Sequence, residues 1–270
     1  MVKLKTPAEI EIMAEAGAMV GRVLAMIDDM VAPGVTTGEL DRAAEAYIRQ
    51  MGGEPTFKGY RVGNKVYPAS ICASVDEEVV HGIPGSRVMK EGQVLSVDIG
   101  VTFQGYVGDS AWTFPVGEVD DDTRRLLDVG RESLKRALDA VRPGGRLSDI
   151  GRAVQGHVES AGFNVVKKYV GHGIGRSMHE DPQIPNFVNR GTRRNDRELV
   201  SGMVMAIEPM VNAGAEDVRE LDDGWTVVTA DGRTSVHFEH TIAITKQGPE
   251  ILTPPPGCRL PLELDSVDIQ

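Results

Sequence analysis

The sequence predicts an α+β fold made of two copies of one half, with a curved antiparallel sheet covered on one face by four main helices. Three observations carry this. Shifted by 110 positions the chain lies over itself: Pro33-Gly34 falls on Pro143-Gly144, Glu39-Leu40 on Asp149-Ile150, Gly52 on Gly162, and residues 92–98 on 202–208. Stacked repeats run at about 20–50 residues, so this echo reads as one duplicated half-domain, roughly 8–115 and 118–250. Each half then opens with two helices parted by a Pro-Gly break, and each ends in runs of β-branched and apolar residues between glycine-bearing turns.

The first helix starts at a capping box, with Thr6 as cap, Pro7 at the first helical position and Glu9 closing it, and runs to about 29. Pro33-Gly34 stops the chain, Thr36 or Thr37 caps a second helix, and Leu40, Ala43, Ala44, Tyr47 and Ile48 give it one apolar face. Gly52-Gly53 ends it. The second copy repeats the order with helices near 121–141 and 148–161, a break at Pro143-Gly144 and a stop at Gly162. Strands are predicted over 70–75, 94–101, 106–114, 165–170, 203–208, 225–229 and 234–245, with a hairpin turn at Gln104-Gly105. Residues 1–270 read as a single domain with a C-terminal tail from about 252, where Pro254-Pro255-Pro256 predicts an extended, poorly ordered end.

Composition narrows the function. With 41% hydrophobic and 26% charged residues the chain has enough apolar surface for a sizeable core, which argues against disorder. A net charge of -11 speaks against a general nucleic-acid binder, so no DNA partner is expected. The local run Arg190, Arg193, Arg194 and Arg197 reads as a solvated loop, with contact to a polyanion as the alternative. Only Cys72 and Cys258 occur, without a metal-type pair or a disulfide framework, which suits a reducing cytosol. No secretory apolar segment and no membrane-length run is present, so a cytoplasmic monomer is the expectation.

The chemistry sits at the strand ends. The echo carries Asp98 onto Glu208, and each leads to a second acid, Asp109 in the first half and Glu239 in the second. Both halves also hold a His-Gly-Ile, at His81 and His172, and His179 follows seven positions after the latter. Singly, a strand-end aspartate reads as a turn residue and a lone histidine as structural. Together they change the reading. Four carboxylates in one cleft cannot all stay ionised without cations, because like charges raise each other's pKa. Bound divalent metals resolve that, and bridging carboxylates with one imidazole describe a two-metal hydrolytic site better than a structural zinc site.

From Thr6 to about Ile251 the chain resembles the type I methionine aminopeptidases of the pita-bread fold. The resemblance rests on Ser70-Ile71-Cys72 through His81-Gly82-Ile83-Pro84, Val97-Asp98-Ile99-Gly100, Gly108-Asp109, Gly171-His172-Gly173-Ile174-Gly175 with His179-Glu180, Ile207-Glu208-Pro209-Met210 and Phe238-Glu239-His240-Thr241. It implies removal of the initiator methionine from nascent polypeptides, with a preference for a small second residue. It also implies two divalent ions, Co, Mn, Fe or Zn. Asp109 and Glu239 would bridge them, Asp98 would hold one, and His172 with Glu208 the other. Glu208 would accept the proton, His179 would stabilise the oxyanion, and His81 would contact the scissile amide. The methionine pocket would take Tyr60, Tyr67, Cys72, Met178, Met210 and Trp225. Three places depart from the common bacterial pattern: Met178 replaces an aromatic, His237 a polar amide, and the 61–66 stretch is longer. His237 and His240 otherwise read as strand residues near the site. A nascent-chain substrate makes the ribosome the natural polyanion for the arginine run. Two alternatives stand beside this reading. One is a pita-bread peptidase cleaving before proline, which would call for a large N-terminal domain where helix one already begins at Thr6. The other is a non-catalytic binding relative, which retention of all five ligand positions opposes.

Overall fold

The computed structural model describes residues 2–254. Helix α1 (Pro7–Met30) starts where the Glu9 N–H donates to Thr6 Oγ1 at 3.3 Å and the Thr6 N–H returns to the Glu9 carboxylate at 2.8 Å. Helix α2 (Thr37–Gln50) repeats the box with Thr36 and Glu39 at 3.2 and 2.7 Å, which makes Thr36 the cap. Helix α3 (Asp121–Ala140) is capped by Asp120, whose carboxylate accepts the Thr123 N–H at 2.7 Å. Helix α4 (Leu147–Ser160) begins one residue earlier than expected and has only half a box, the Asp149 carboxylate accepting the Arg146 N–H at 2.9 Å. Asp196 supplies the missing acceptor by taking the Ser148 N–H at 2.9 Å.

The 110-residue offset recurs in the hydrogen bonds. Gly34 donates to the Met89 carbonyl at 2.9 Å and Gly144 to Leu199 at 2.8 Å; Thr37 donates to Arg87 at 3.1 Å and Leu147 to Arg197 at 3.0 Å. Gly52 and Gly162 both follow a helix at φ 82°, the left-handed conformation that costs glycine little.

Strand pairings among the described residues are antiparallel. In the first half Val94–Phe103 and Tyr106–Pro115 form one long hairpin, with Asp98 opposite Ala111 and Gly100 opposite Asp109. Its turn, at Gln104 and Gly105, has positive φ at both residues, as a tight hairpin requires. Period-2 alternation sends Leu95, Val97, Ile99 and Val101 into a core with Val20, Leu24, Ile27, Leu40 and Ile48 of α1 and α2. Asp98 is thereby left on the face away from the helices. A second core gathers Leu126, Leu134, Ile150, Val154 and Val158 of α3 and α4 with Ile207, Val211, Val236 and Phe238. Trp112 packs against both cores. Each such side chain, fully buried, contributes about 1.5–3 kcal/mol.

Several expected elements differ. The strand expected over 234–245 is two, Ser235–His237 and His240–Thr245. The ladder breaks because Pro209 has no N–H to give and the Glu239 N–H goes instead to the Ala111 carbonyl, at 2.9 Å. The strand expected over 165–170 is also two, Asn164–Val165 and Gly171–Gly173, because the first pairs with 211–212 and the second with 205–206. The expected arginine loop contains a short helix, Arg190–Arg194, capped by Asn189. The tail expected from about 252 starts docked: the Leu252 N–H donates to the Thr241 carbonyl at 2.9 Å and the Thr241 N–H to Thr253 Oγ1 at 3.0 Å. Gly21 leaves the space that Pro254 fills, since a Cβ there would meet Pro254 Cγ at 2.7 Å. Pro255, Pro256 and Cys258 lie outside the described residues. Among the described residues no helix is long and apolar enough to cross a membrane.

Candidate metal centre

Asp98 and Asp109 point to one face of the first-half hairpin, on neighbouring strands and two positions out of register. The residue before Asp109 is a glycine for a spatial reason. A Cβ on Gly108 would lie 2.6 Å from the Gly17 nitrogen, so only glycine lets the α1 backbone press on the hairpin there.

The second half is stitched to that hairpin residue by residue. The Asp109 N–H donates to Thr241 Oγ1 at 3.3 Å, and the Thr241 hydroxyl donates to the Asp109 carbonyl at 2.7 Å. Glu239 bonds to Ala111 as described, and the His237 N–H donates to Thr113 Oγ1 at 2.9 Å while the Thr113 hydroxyl donates to the His237 carbonyl at 2.8 Å. Residues 241, 239 and 237 therefore run antiparallel along 109, 111 and 113. This brings the Asp109 and Glu239 carboxylates together.

Glu208 follows the last residue of Val204–Ile207, and Asn186 Nδ2 holds its carbonyl at 2.9 Å. Beside it, His172 pairs with Ala206. His172 Nδ1 lies 3.0 Å from the Gly173 carbonyl, which can only accept, so the ring proton sits on Nδ1 and Nε2 carries the free lone pair. That Nε2 is 3.4 Å from Glu208 Oε1 and 3.7 Å from Asp109 Oδ2.

Donor atoms of Asp109, His172 and Glu239 lie within 4.8 Å of one another. Asp98 Oδ1, Asp109 Oδ1 and Glu239 Oε1 are buried without a hydrogen-bond partner. Unpaired buried carboxylate oxygens are costly, and a divalent cation is the partner that oxygen donors with one imidazole suit. Burial pushes the Asp98 carboxyl up to about 7. Asp109, Glu208 and Glu239 also lie well above the usual carboxylate range, first from burial and then from the charges of their neighbours. Burial holds His172 down at about 3, which keeps it neutral and able to ligate.

The acids occupy one side of a cavity of about 290 Å³. The other side is apolar: Phe57, Tyr67, Cys72, Met178 and Trp225 line it. The Tyr67 and Trp225 rings meet edge-on at 5.2 Å, and the Tyr67 hydroxyl donates to the Gly82 carbonyl at 2.8 Å. Cys72 stands opposite Asp98 in the ladder, so the apolar pocket adjoins the acids directly. Three more groups guard the mouth. His81 adopts φ 61° and its ring meets Tyr169 at 5.8 Å; burial lowers its pKa to about 4. Such a backbone costs a non-glycine residue about 1–3 kcal/mol and is a mark of functional positions. His179 receives Tyr60, whose hydroxyl lies 2.7 Å from Nδ1, and its ring is 4.4 Å from that of His172.

Of the residues singled out in the sequence, Met210 does not line the cavity. It sits behind the wall, fully buried among Val79, Val80, Val166 and Val227. The 61–66 stretch forms a small hairpin, Arg61–Val62 with Lys65–Val66, that places Val62 on the cavity and is tied down by Lys65 to Glu220 at 2.6 Å. His240 faces away, its Nδ1 3.1 Å from Thr253 Oγ1. His237, read from the sequence as a strand residue near the site that stands where a polar amide is common, lines the cavity with Nε2 buried and unpartnered.

The model of metallopeptidase family M24 matches residues 11–246. A relative from Bacillus subtilis (strain 168), methionine aminopeptidase 1, is 52% identical over 255 residues, covering 94% of this chain and 99% of its own. The methionine aminopeptidase of Escherichia coli (strain K12) is 44% identical, with 93% of this chain and 94% of that protein covered. Among solved structures, a methionine aminopeptidase from Thermotoga maritima superposes with a TM-score of 0.89 at 46% identity over 94% of this chain and 99% of that chain. A prolidase from Pyrococcus furiosus, 22% identical with a TM-score of 0.72, covers 93% of this chain and 65% of that one and shares the fold.

Proposed function

This chain belongs to metallopeptidase family M24, and from that premise we propose that the cavity is the active site of a metal-dependent aminopeptidase that removes N-terminal methionine. One observation carries the reading: five ligand-type side chains, with buried unpaired oxygens among them, adjoin an apolar pocket of a size and softness that suit a thioether side chain. Asp98, Asp109, His172, Glu208 and Glu239 would hold two divalent ions, Asp98 serving one and His172 with Glu208 the other. Co, Mn, Fe and Zn all suit such mixed donors. When bound, the ions lower the pKa of a water and polarise a carbonyl.

The chain's own residues do the rest. Glu208 opens onto the cavity, where burial first and then the neighbouring acids raise its proton affinity, and it takes the proton of the attacking water. His179, oriented by Tyr60, presents Nε2 to the carbonyl oxygen as charge builds there. His81 faces the amide beyond it. Tyr67, Cys72, Met178 and Trp225 hold the methionine side chain, and the crowding of His81, His179 and Tyr60 at the mouth supports a small second residue. The Asp98 end of the cavity takes the free amino group, which limits cleavage to the first peptide bond. In the cell the substrates are nascent chains met in the cytoplasm by a monomer acting as one catalytic domain. The exposed Arg190, Arg193, Arg194 and Arg197 supply a face for the ribosome.

Cleavage of Met-Ala-Ser and Ala-Pro peptides by the metal-loaded protein tests the assignment. Release of methionine from the first, with the second left intact, is expected; preference for Ala-Pro would make this a proline-directed peptidase.

A further inference from the structure

His237 is the buried polar side chain in this cavity to which the mechanism above gives no task. It is 2% exposed, and its backbone is pinned on both sides by the Thr113 hydroxyl. Its Nε2 has no hydrogen-bond partner and lies 3.9 Å from Glu208 Oε2 and 4.0 Å from Glu239 Oε2. Both neighbours are acceptors when ionised.

The comparison with His172 decides what Nε2 carries. A metal-ligating histidine almost always donates its other N–H to an acceptor, and His172 does so through Nδ1 to the Gly173 carbonyl. His237 has no such arrangement: among the described residues its Nδ1 forms no hydrogen bond, while Nε2 points between two carboxylates. Beside carboxylates that a bound cation keeps ionised, a neutral imidazole in that setting places its proton on Nε2. The remaining gap to hydrogen-bond distance is about 1 Å, and such contacts often tighten only in the loaded enzyme.

We propose that His237 is a positioning residue that donates its Nε2–H to the Glu208 and Glu239 carboxylates and thereby holds Glu208 in line for proton transfer. The proposal rests on the metal-dependent reading, both for the task it serves and for the ionised carboxylates that accept the proton. His237 is then a donor beside the metal centre and not a sixth ligand, and the residue type that can replace it is one that keeps an N–H at similar reach.

Long-range 1H–15N correlation spectra of the native protein loaded with Zn(II) test the assignment directly. An Nε2–H tautomer of His237 is expected there, where both carboxylates are ionised. A proton on Nδ1, or Nε2 displaced by coordination to Zn(II), overturns the proposal. In kinetics, His237→Leu should lower kcat by about 10–100-fold with little change in KM, the usual effect of losing such a partner, while His237→Gln keeps most of the rate. Co(II) absorption and the number of ions bound should match the native protein in both variants. A leucine variant as fast as native, or a glutamine variant as slow as leucine, sinks the idea; if leucine does not fold, the spectra and the glutamine variant still decide. Should the native protein take up no divalent ion, the metal-dependent reading fails and the proposal with it; uptake of the ion with the proton on Nδ1 overturns the proposal alone.

Discussion

In the first half Asp98 and Asp109 sit on an unbroken hairpin of two ten-residue strands; in the second, Glu208 and Glu239 sit where one ladder stops and another starts. Asp98 is therefore fixed by main-chain pairing on both sides, to Cys72 and Ala111, and Asp109 by pairing with Gly100. The second pair lies at a deliberate gap, held by bonds to the other half at Asp109, Ala111 and Thr113. The lesson is a division of labour in the backbone: the regular half sets Asp98 and Asp109 by strand register, and the gap in the broken half lets Glu208, His237 and Glu239 face the cavity.

The largest expected effect comes from the broken half. Glu208→Gln should lower kcat by about 10²–10⁴-fold, the range for loss of a positioned proton acceptor, with an unchanged circular dichroism spectrum. A loss of a few fold would mean that another group takes the proton.

The pH dependence of the metal-free protein comes next. Asp98 is raised to about 7, and Asp109, Glu208 and Glu239 lie higher than normal, so the folded chain holds protons that the unfolded chain has released. Stability must then fall as pH rises, by about 1.4 kcal/mol per pH unit for each proton retained. Below about pH 6.5 an opposite trend enters, because His81, His172, His237 and His240, held at about 3–4, resist protonation in the fold. The clean window is pH 6.5 to 8. Thermal melts of metal-free protein should lose stability across it, and saturating metal should remove the slope; an unchanged melting temperature without metal would show that the carboxylates are ionised in the fold.

Smaller effects probe the frame. Gly108→Ala forces a methyl into the α1 backbone and should cost about 1–3 kcal/mol in urea unfolding. Thr241→Val removes the hydroxyl that joins the halves at Asp109 and should cost about 1 kcal/mol, with a matching loss of metal affinity. A stability loss in the second case without a change in affinity would separate the stitch from the site.

The sequence makes the local parts of this molecule legible. Thr6 with Glu9, Thr36 with Glu39, and the left-handed Gly52 and Gly162 are decided within a few residues, and all are found where the pattern puts them. What escapes it depends on distant partners. The break at Glu239 exists because Ala111 takes its N–H, and residues 252–254 dock because Gly17 and Gly21 clear a groove on α1. The metal-type cluster was readable from paired acids in two copies, since a repeated acid without a repeated cation demands explanation. Met210 was not readable, because nothing local tells which wall of a cavity a buried methionine backs. His237 was legible as a residue near the site, but not which groups its ring faces, because Glu208 comes from a separate strand.

The central claim is that both halves supply one metal centre that cleaves N-terminal methionine. Titrating Co(II) or Mn(II) into metal-stripped protein while following released methionine from Met-Ala-Ser tests it most directly. Activity should be absent at the start, rise as metal is taken up and level off once two ions per chain are bound. Full activity before any metal is added, or no methionine released at saturation, would contradict it.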